Sequence, residues 1–159
     1  MRKNPILRTF QKTDLEAVRA LIHRTIDAAY TGVDPPRAVV FFKQYYSKEK
    51  ILERSRDGEI VVLACGGKAV AMGSILEGEI CGVFVDLDFQ RAGFGVRLMQ
   101  ELERRVSASG RKEAELSVSL PSRGFYERLG YTVLEACSID VGEGEQLKYW
   151  KAKKTLGKA

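Results

Sequence analysis

The stretch QRAGFGVRLM, Gln90 to Met99, decides the fold, because it joins two patterns of different period. Before it lies ICGVFV, Ile80 to Val85, an apolar run of strand character, and from Val96 onward apolar residues recur at helical spacing. A chain that leaves a strand through a glycine turn and enters a helix directs several unpaired amides outward, where the helix dipole adds partial positive charge. Phosphate suits such a turn. Gly93 and Gly95 fit it because a side chain there would block close approach of the anion or forbid the backbone angles. Taken alone, the glycine pair serves equally well as punctuation between a strand and a helix. A dinucleotide-binding turn is excluded, since it needs a third glycine where Leu98 stands and a leading βαβ unit, whereas this turn sits mid-chain.

Working outward, Val96, Met99, Leu102 and Val106 form one stripe of the following helix, and Gly110 stops it. Upstream, EIVVLAC (59–65), KAVAMGSIL (68–76) and EICGVFV (79–85) are separated by Gly66-Gly67 and Glu77-Gly78, the pattern of an antiparallel meander. Downstream come the strand AELSVSL (114–120), a short helix through SRGFYERL (122–129), and two strands, YTVLEACSID (131–140) and EQLKYWKAK (145–153), joined by a Gly142/Gly144 turn. The N-terminal third opens with the strand ILRTF (6–10) and a capping box of Thr13 and Glu16. The stripe Leu15, Val18, Ile22, Ile26 and Ala29 follows, running to about Tyr30. An aromatic-rich helix from Arg37 to Tyr46 and a further helical turn through SKEKILERS (47–55) precede the turn at Asp57-Gly58. The order predicts an α/β (α+β) fold with a mixed, mostly antiparallel sheet of about six to seven strands flanked by about four helices.

Composition limits the function classes. With 159 residues, 45% hydrophobic and 30% charged, one domain spanning 1–159 is expected. The longest apolar run, Ile60 to Cys65, falls far short of the ~20 residues of a membrane span, and the N-terminus has no secretory pattern, so a cytoplasmic protein without a membrane partner is expected. Cys65, Cys81 and Cys137 lack metal or disulfide spacing, and the one histidine, His23, has no ligand partner nearby, so no metal is expected. The net charge of +5 comes from 26 basic and 21 acidic residues that are interleaved, with only Lys151 to Lys158 one-signed. Without an aromatic-basic platform, a nucleic-acid partner is not expected.

Gln90-Arg91-Ala92-Gly93-Phe94-Gly95 resembles the Q/R-x-x-G-x-G/A signature of the GNAT superfamily, the acetyl-CoA-dependent N-acetyltransferases. Phe125-Tyr126-Glu127-Arg128-Leu129-Gly130-Tyr131 is similar to the F-Y-E-x-L-G-F/Y segment that follows the fifth strand in many members. The resemblance implies a GNAT-like sheet and acetyl-CoA as co-substrate. It implies that Gln90, Arg91, Ala92, Gly93, Phe94, Gly95 and Val96 hold the pyrophosphate, mainly through the amides from Arg91 to Val96. The pantetheine arm is then expected along the backbone of Val83, Phe84 and Val85, a strand-addition mode. Amides near Val85 would receive the charge that develops on the thioester oxygen.

Tyr126 stands at the family's general acid, where a phenol of pKa ~10 stays protonated at neutral pH and can donate to the departing sulfur. Glu79 is the candidate base. Strand parity puts Glu79, Cys81, Val83 and Val85 on one face, and Glu79 stands eleven positions before Gln90, where some members carry a glutamate. The alternative for Glu79 is a hydrated carboxylate beside a turn. Two departures from the family occur: SLPSRGFY has no asparagine, so Ser119 or Ser122 takes the pantetheine contact or leaves it to water, and Leu87 replaces a common proline.

The expected activity is acetyl transfer to a primary amine by direct attack, with no covalent step at Cys81; the alternative is a coenzyme A-binding regulatory module without turnover. The acceptor pocket falls to the segment 27–50 and the turn 140–145, where Tyr30, Phe41, Phe42, Tyr45 and Tyr46 offer apolar walls and Asp27, Asp34 or Glu143 a charge for a cation. The protein is expected as a monomer or homodimer.

Overall fold

In the computed structural model, which describes residues 4–157, every strand and helix read from the pattern is present. Strand β1 (Ile6–Thr9) is followed by α1 (Leu15–Tyr30), α2 (Pro36–Tyr45) and α3 (Lys48–Asp57). The meander β2 (Glu59–Cys65), β3 (Lys68–Leu76) and β4 (Glu79–Val85) leads into α4 (Phe94–Ala108). Then come β5 (Glu113–Ser119), α5 (Arg123–Arg128), β6 (Thr132–Gly142) and β7 (Glu145–Thr155). Lys158, at the end of the basic run, lies outside the described residues.

Five helices form where about four were expected, because SKEKILERS is a full helix: the Ser47 hydroxyl accepts from the Lys50 amide at 3.3 Å and so caps α3. At the first helix the cap differs from the expected Thr13–Glu16 box. Residues Lys12–Asp14 form a 3-10 turn, and the Asp14 carboxylate accepts from the Gln11 amide at 2.8 Å and from both terminal nitrogens of Arg8 at 2.7 and 2.8 Å. Glu16 pairs instead with Lys48.

The sheet order is β1-β2-β3-β4-β5-β7-β6, antiparallel everywhere except between β4 and β5. β2 is buried on both faces, so period two divides its side chains between two cores. Ile60 and Val62 meet Val18, Leu21, Ile22 and Ile26 of α1, whereas Val61 and Leu63 meet Leu98, Met99, Leu102 and Val106 of α4. Each fully buried aliphatic side chain of this kind stabilises by about 1.5–3 kcal/mol, which clamps both helix layers to the sheet. No helix among the described residues is long and apolar enough to cross a membrane.

One local feature overturns the expected parity of β4. Gly82 has φ +67°, and the register passes from Ser74↔Cys81 to Gly73↔Val83, leaving Gly82 as a bulged residue. Ile80 on one side of the bulge and Val83 and Val85 on the other all pack toward α4, while Phe84 packs toward α1. Glu79 and Cys81 therefore face away from Val83 and Val85. A Cβ at Gly82 would collide with the Tyr46 hydroxyl, so the bulge is held from the helical side as well.

Candidate active site

The turn between β4 and α4 is fastened from behind and left open in front. The Asp86 carboxylate accepts from Arg24 and from the Asp88 amide, and the Gln90 side-chain amide donates to the Val85 carbonyl at 3.1 Å. Phe89 stacks on Phe94 with ring centres 6.1 Å apart. Arg91 and Gly93 both have positive φ, +64° and +80°, and Arg97 donates to the Gly93 carbonyl at 3.0 Å to begin the α4 ladder. Among the described residues, none of the six amides from Arg91 to Val96 donates to an acceptor of the chain. Free donors in the turn and at the helix N-terminus it leads into form a cradle for an oxygen-rich anion.

The two glycines serve different ends. Gly93 is the N-cap in the left-handed region, with nothing within 4 Å of a built Cβ, so the backbone angle is what selects glycine. Gly95 is selected by space, because its Cβ would stand 3.1 Å from the ring of Phe125.

Beside the turn the sheet divides. β4 and β5 share only two register pairs, Glu79↔Glu115 and Ile80↔Leu116, and beyond them the strands separate. A cavity of about 690 Å³ fills the gap and runs past the glycine turn. Of the residues singled out in the sequence, Val83, Phe84, Val85, Gln90, Arg91, Gly93, Phe94, Gly95, Val96, Ser119, Ser122 and Tyr126 line it, and Ala92 and Glu79 do not. Glu79 stands just behind the wall: its carboxylate accepts from the hydroxyl of Ser117, a lining residue, at 3.4 Å and lies 3.8 Å from Lys151.

Tyr126, on α5, is 6% exposed and packed edge-on by Phe125 and Tyr131. Burial, with smaller contributions from the nearby Tyr30 and Tyr46 phenols, pushes its pKa well above the ordinary tyrosine value, so the hydroxyl stays protonated throughout the physiological range. Its oxygen has no hydrogen-bond partner among the described residues, although the ring lines the cavity. Next to it runs a short polar chain that sequence reasoning did not find. The Tyr30 hydroxyl donates to Ser119 Oγ at 2.7 Å, and Ser119 and Ser122 share a hydrogen bond of 2.6 Å.

The far end of the cavity is aromatic. Tyr30 and Phe42 lie 4.9 Å apart, Phe41 stacks on Tyr45, and Tyr46 meets Phe84 edge-on. The Arg54 guanidinium sits between the rings of Tyr45 and Tyr46, 4.3 and 4.4 Å from their centres. The three acids expected to attract a cation are otherwise disposed. Asp27 pairs with Lys43, Glu143 pairs with Arg37 at 2.7 Å, and Asp34 is buried, which raises its carboxyl pKa.

Residues 25–142 match the family of GNAT acetyltransferase domains. A protein of Methanocaldococcus jannaschii described as an uncharacterized N-acetyltransferase is 30% identical over 81% of this chain and 61% of its own length, so the chain spans about three-fifths of that curated relative. Among solved structures, a GCN5-related N-acetyltransferase from Rhodopseudomonas palustris aligns with a TM-score of 0.85 at 20% identity, over 98% of both chains. The PaiA N-acetyltransferase of Thermoplasma acidophilum, solved in complex with coenzyme A, aligns with a TM-score of 0.78 at 20% identity, over 96% of this chain and 99% of that one. At these identities the two structures speak for the fold alone. The matched segment takes in the glycine turn and the tyrosine helix alike, and the chain belongs to the GNAT acetyltransferase family.

Proposed function

We propose that this chain, as one domain over residues 1–159, transfers an acetyl group from acetyl-CoA to a primary amine by direct attack. The observation that carries the reading is the run of six unpartnered amides from Arg91 to Val96, in a turn whose residues, Ala92 apart, line the same cavity as the Tyr126 ring. The residues fit the co-substrate. The amide cradle suits a pyrophosphate, Arg91 adds charge beside it, and the β4 edge from Val83 to Val85 has lost its strand partner and can pair with the amides of a pantetheine arm. Ser119 and Ser122 offer hydroxyls where many family members carry an asparagine.

Acetyl-CoA supplies a thioester activated toward amines. For the transfer, a C–N bond forms as the C–S bond breaks; two protons leave the nitrogen of an acceptor that arrives as ammonium, of which one is released to solvent and one ends on the sulfur. An amine of pKa ~10.4 is almost wholly protonated at neutral pH, so a base is required. Glu79 takes the proton through water or the Ser117 hydroxyl. Tyr126 donates to the sulfur as the C–S bond breaks, and its raised pKa returns the proton to the phenol afterward, through water from Glu79. Amides near Val85 stabilise the negative oxygen.

The test is incubation of the purified chain with acetyl-CoA and a panel of amines while free thiol is followed, beside calorimetry with coenzyme A. Thiol release that depends on an amine supports the reading. Tight coenzyme A binding with no transfer to any amine would replace it with a binding module that does not turn over.

A further inference from the structure

The acceptor end of the cavity has a chemistry of its own. Its walls come from Phe41, Phe42 and Tyr45 on one side and Ile139, Leu147 and Tyr149 on the other. Among the described residues no Asp or Glu lines the cavity, and the charged residues that do, Arg91 and Arg128, are both positive. Two acids of these segments already have cationic partners, Asp27 in Lys43 and Glu143 in Arg37, and the Glu145 carboxylate accepts from the Arg37 amide at 3.3 Å. A second positive charge on the acceptor would thus enter an apolar space with no carboxylate on its walls to pair with. An apolar body would instead gain from burial against these walls.

The same surroundings help the chemistry. Desolvation disfavours the charged form of an amine, so an ammonium drawn into this space loses its proton more easily than in water. The two walls are also fastened to one another. Arg37 ties the first turn of α2 to the β6–β7 turn through both its side chain and its amide, so the two walls are bridged at the aromatic end.

Resting on the transfer reading above, we infer that the acceptor is a small monoamine with an aromatic or branched aliphatic body, preferred over polyamines and over lysine side chains of peptides. The experiment uses the intact chain at saturating acetyl-CoA and compares 2-phenylethylamine, spermidine and a lysine-containing peptide by initial rate of thiol release. The expected result is a kcat/KM for 2-phenylethylamine at least about tenfold above the other two, equivalent to about 1.4 kcal/mol of discrimination. Ile139→Asp, on a half-exposed wall position, should shrink that ratio by placing a carboxylate inside. Preference for spermidine or the peptide, or a ratio unmoved by Ile139→Asp, overturns this inference and leaves the transfer reading standing. Coenzyme A binding with no transfer to any of the three overturns both.

Discussion

Gly95 and Phe125 touch across the cavity: a Cβ added at Gly95 would lie 3.1 Å from the Phe125 ring, tighter than ordinary van der Waals contact. The glycine turn and the tyrosine helix are thereby set to one another by packing, although 30 residues separate the two positions. Gly95→Ala should push the start of α4 away from α5. Calorimetry with coenzyme A should show affinity weakened about tenfold, the scale of a 1.4 kcal/mol loss, with the melting temperature little changed. Unaltered affinity would mean that the amides from Arg91 to Val96 do not hold the pyrophosphate.

Tyr126→Phe removes a hydroxyl that has no hydrogen-bond partner among the described residues, so folding should not suffer. The proposed acid would be lost. We expect kcat to fall on the order of 10²-fold, the lower range for removal of a general acid, with coenzyme A affinity retained. A variant of full activity would assign Tyr126 to packing alone.

Glu79→Gln keeps the shape of the side chain and abolishes the base. The proposed role predicts a loss of kcat on the order of 10²-fold, with a smaller loss for Ser117→Ala, which removes the hydroxyl standing between Glu79 and the cavity. Steady-state kinetics on both variants decides the matter. Equal activity of wild type and Glu79→Gln would hand proton removal to water, a result that the apolar acceptor end could accommodate.

Asp14 and Asp34 should respond to pH with opposite signs. Arg8 holds the Asp14 carboxyl below its ordinary value, so this pair contributes stability above the unfolded aspartate pKa of about 3.9 and loses it as pH falls through the lower folded value. Burial raises Asp34, so its ionised form costs stability above its folded pKa, and that cost is relieved as pH falls toward about 3.9. Asp14→Asn should lower the melting temperature at pH 7 and Asp34→Asn should raise it, and both differences should shrink in acid. Melting curves across pH 3 to 7 read both; an Asp34→Asn variant less stable at pH 7 would contradict the account.

The elements and the cofactor end were legible because they rest on local chemistry: a period of two giving way to a helical stripe, and glycines where the backbone must turn. The resemblance of the two motifs supplied Tyr126, and the fold brings its ring to the cavity that the glycine turn borders. Legibility failed where one residue shifts a phase or where partners are distant. The bulge at Gly82 reverses the face on which Glu79 and Cys81 stand, and nothing in EICGVFV distinguishes a bulged glycine from one within a regular strand. The bond between Tyr30 and Ser119 spans 89 positions and has no periodic signature. Capping at α1 was misread because Arg8, on a preceding strand, competes for the acidic side chain that completes the turn.

The separation of β4 from β5 has a mechanical consequence. With two rungs between them, the strands β1 to β4 and the strands β5 to β7 are two plates joined at one end of a seam. A ligand that bonds to the open edge of β4 supplies the missing rungs and acts as mortar between the plates. Amide hydrogen exchange should therefore slow on both sides of the seam when coenzyme A is added, including on β5 positions remote from the phosphates, so that the grip on the ligand and the cohesion of the sheet become one quantity.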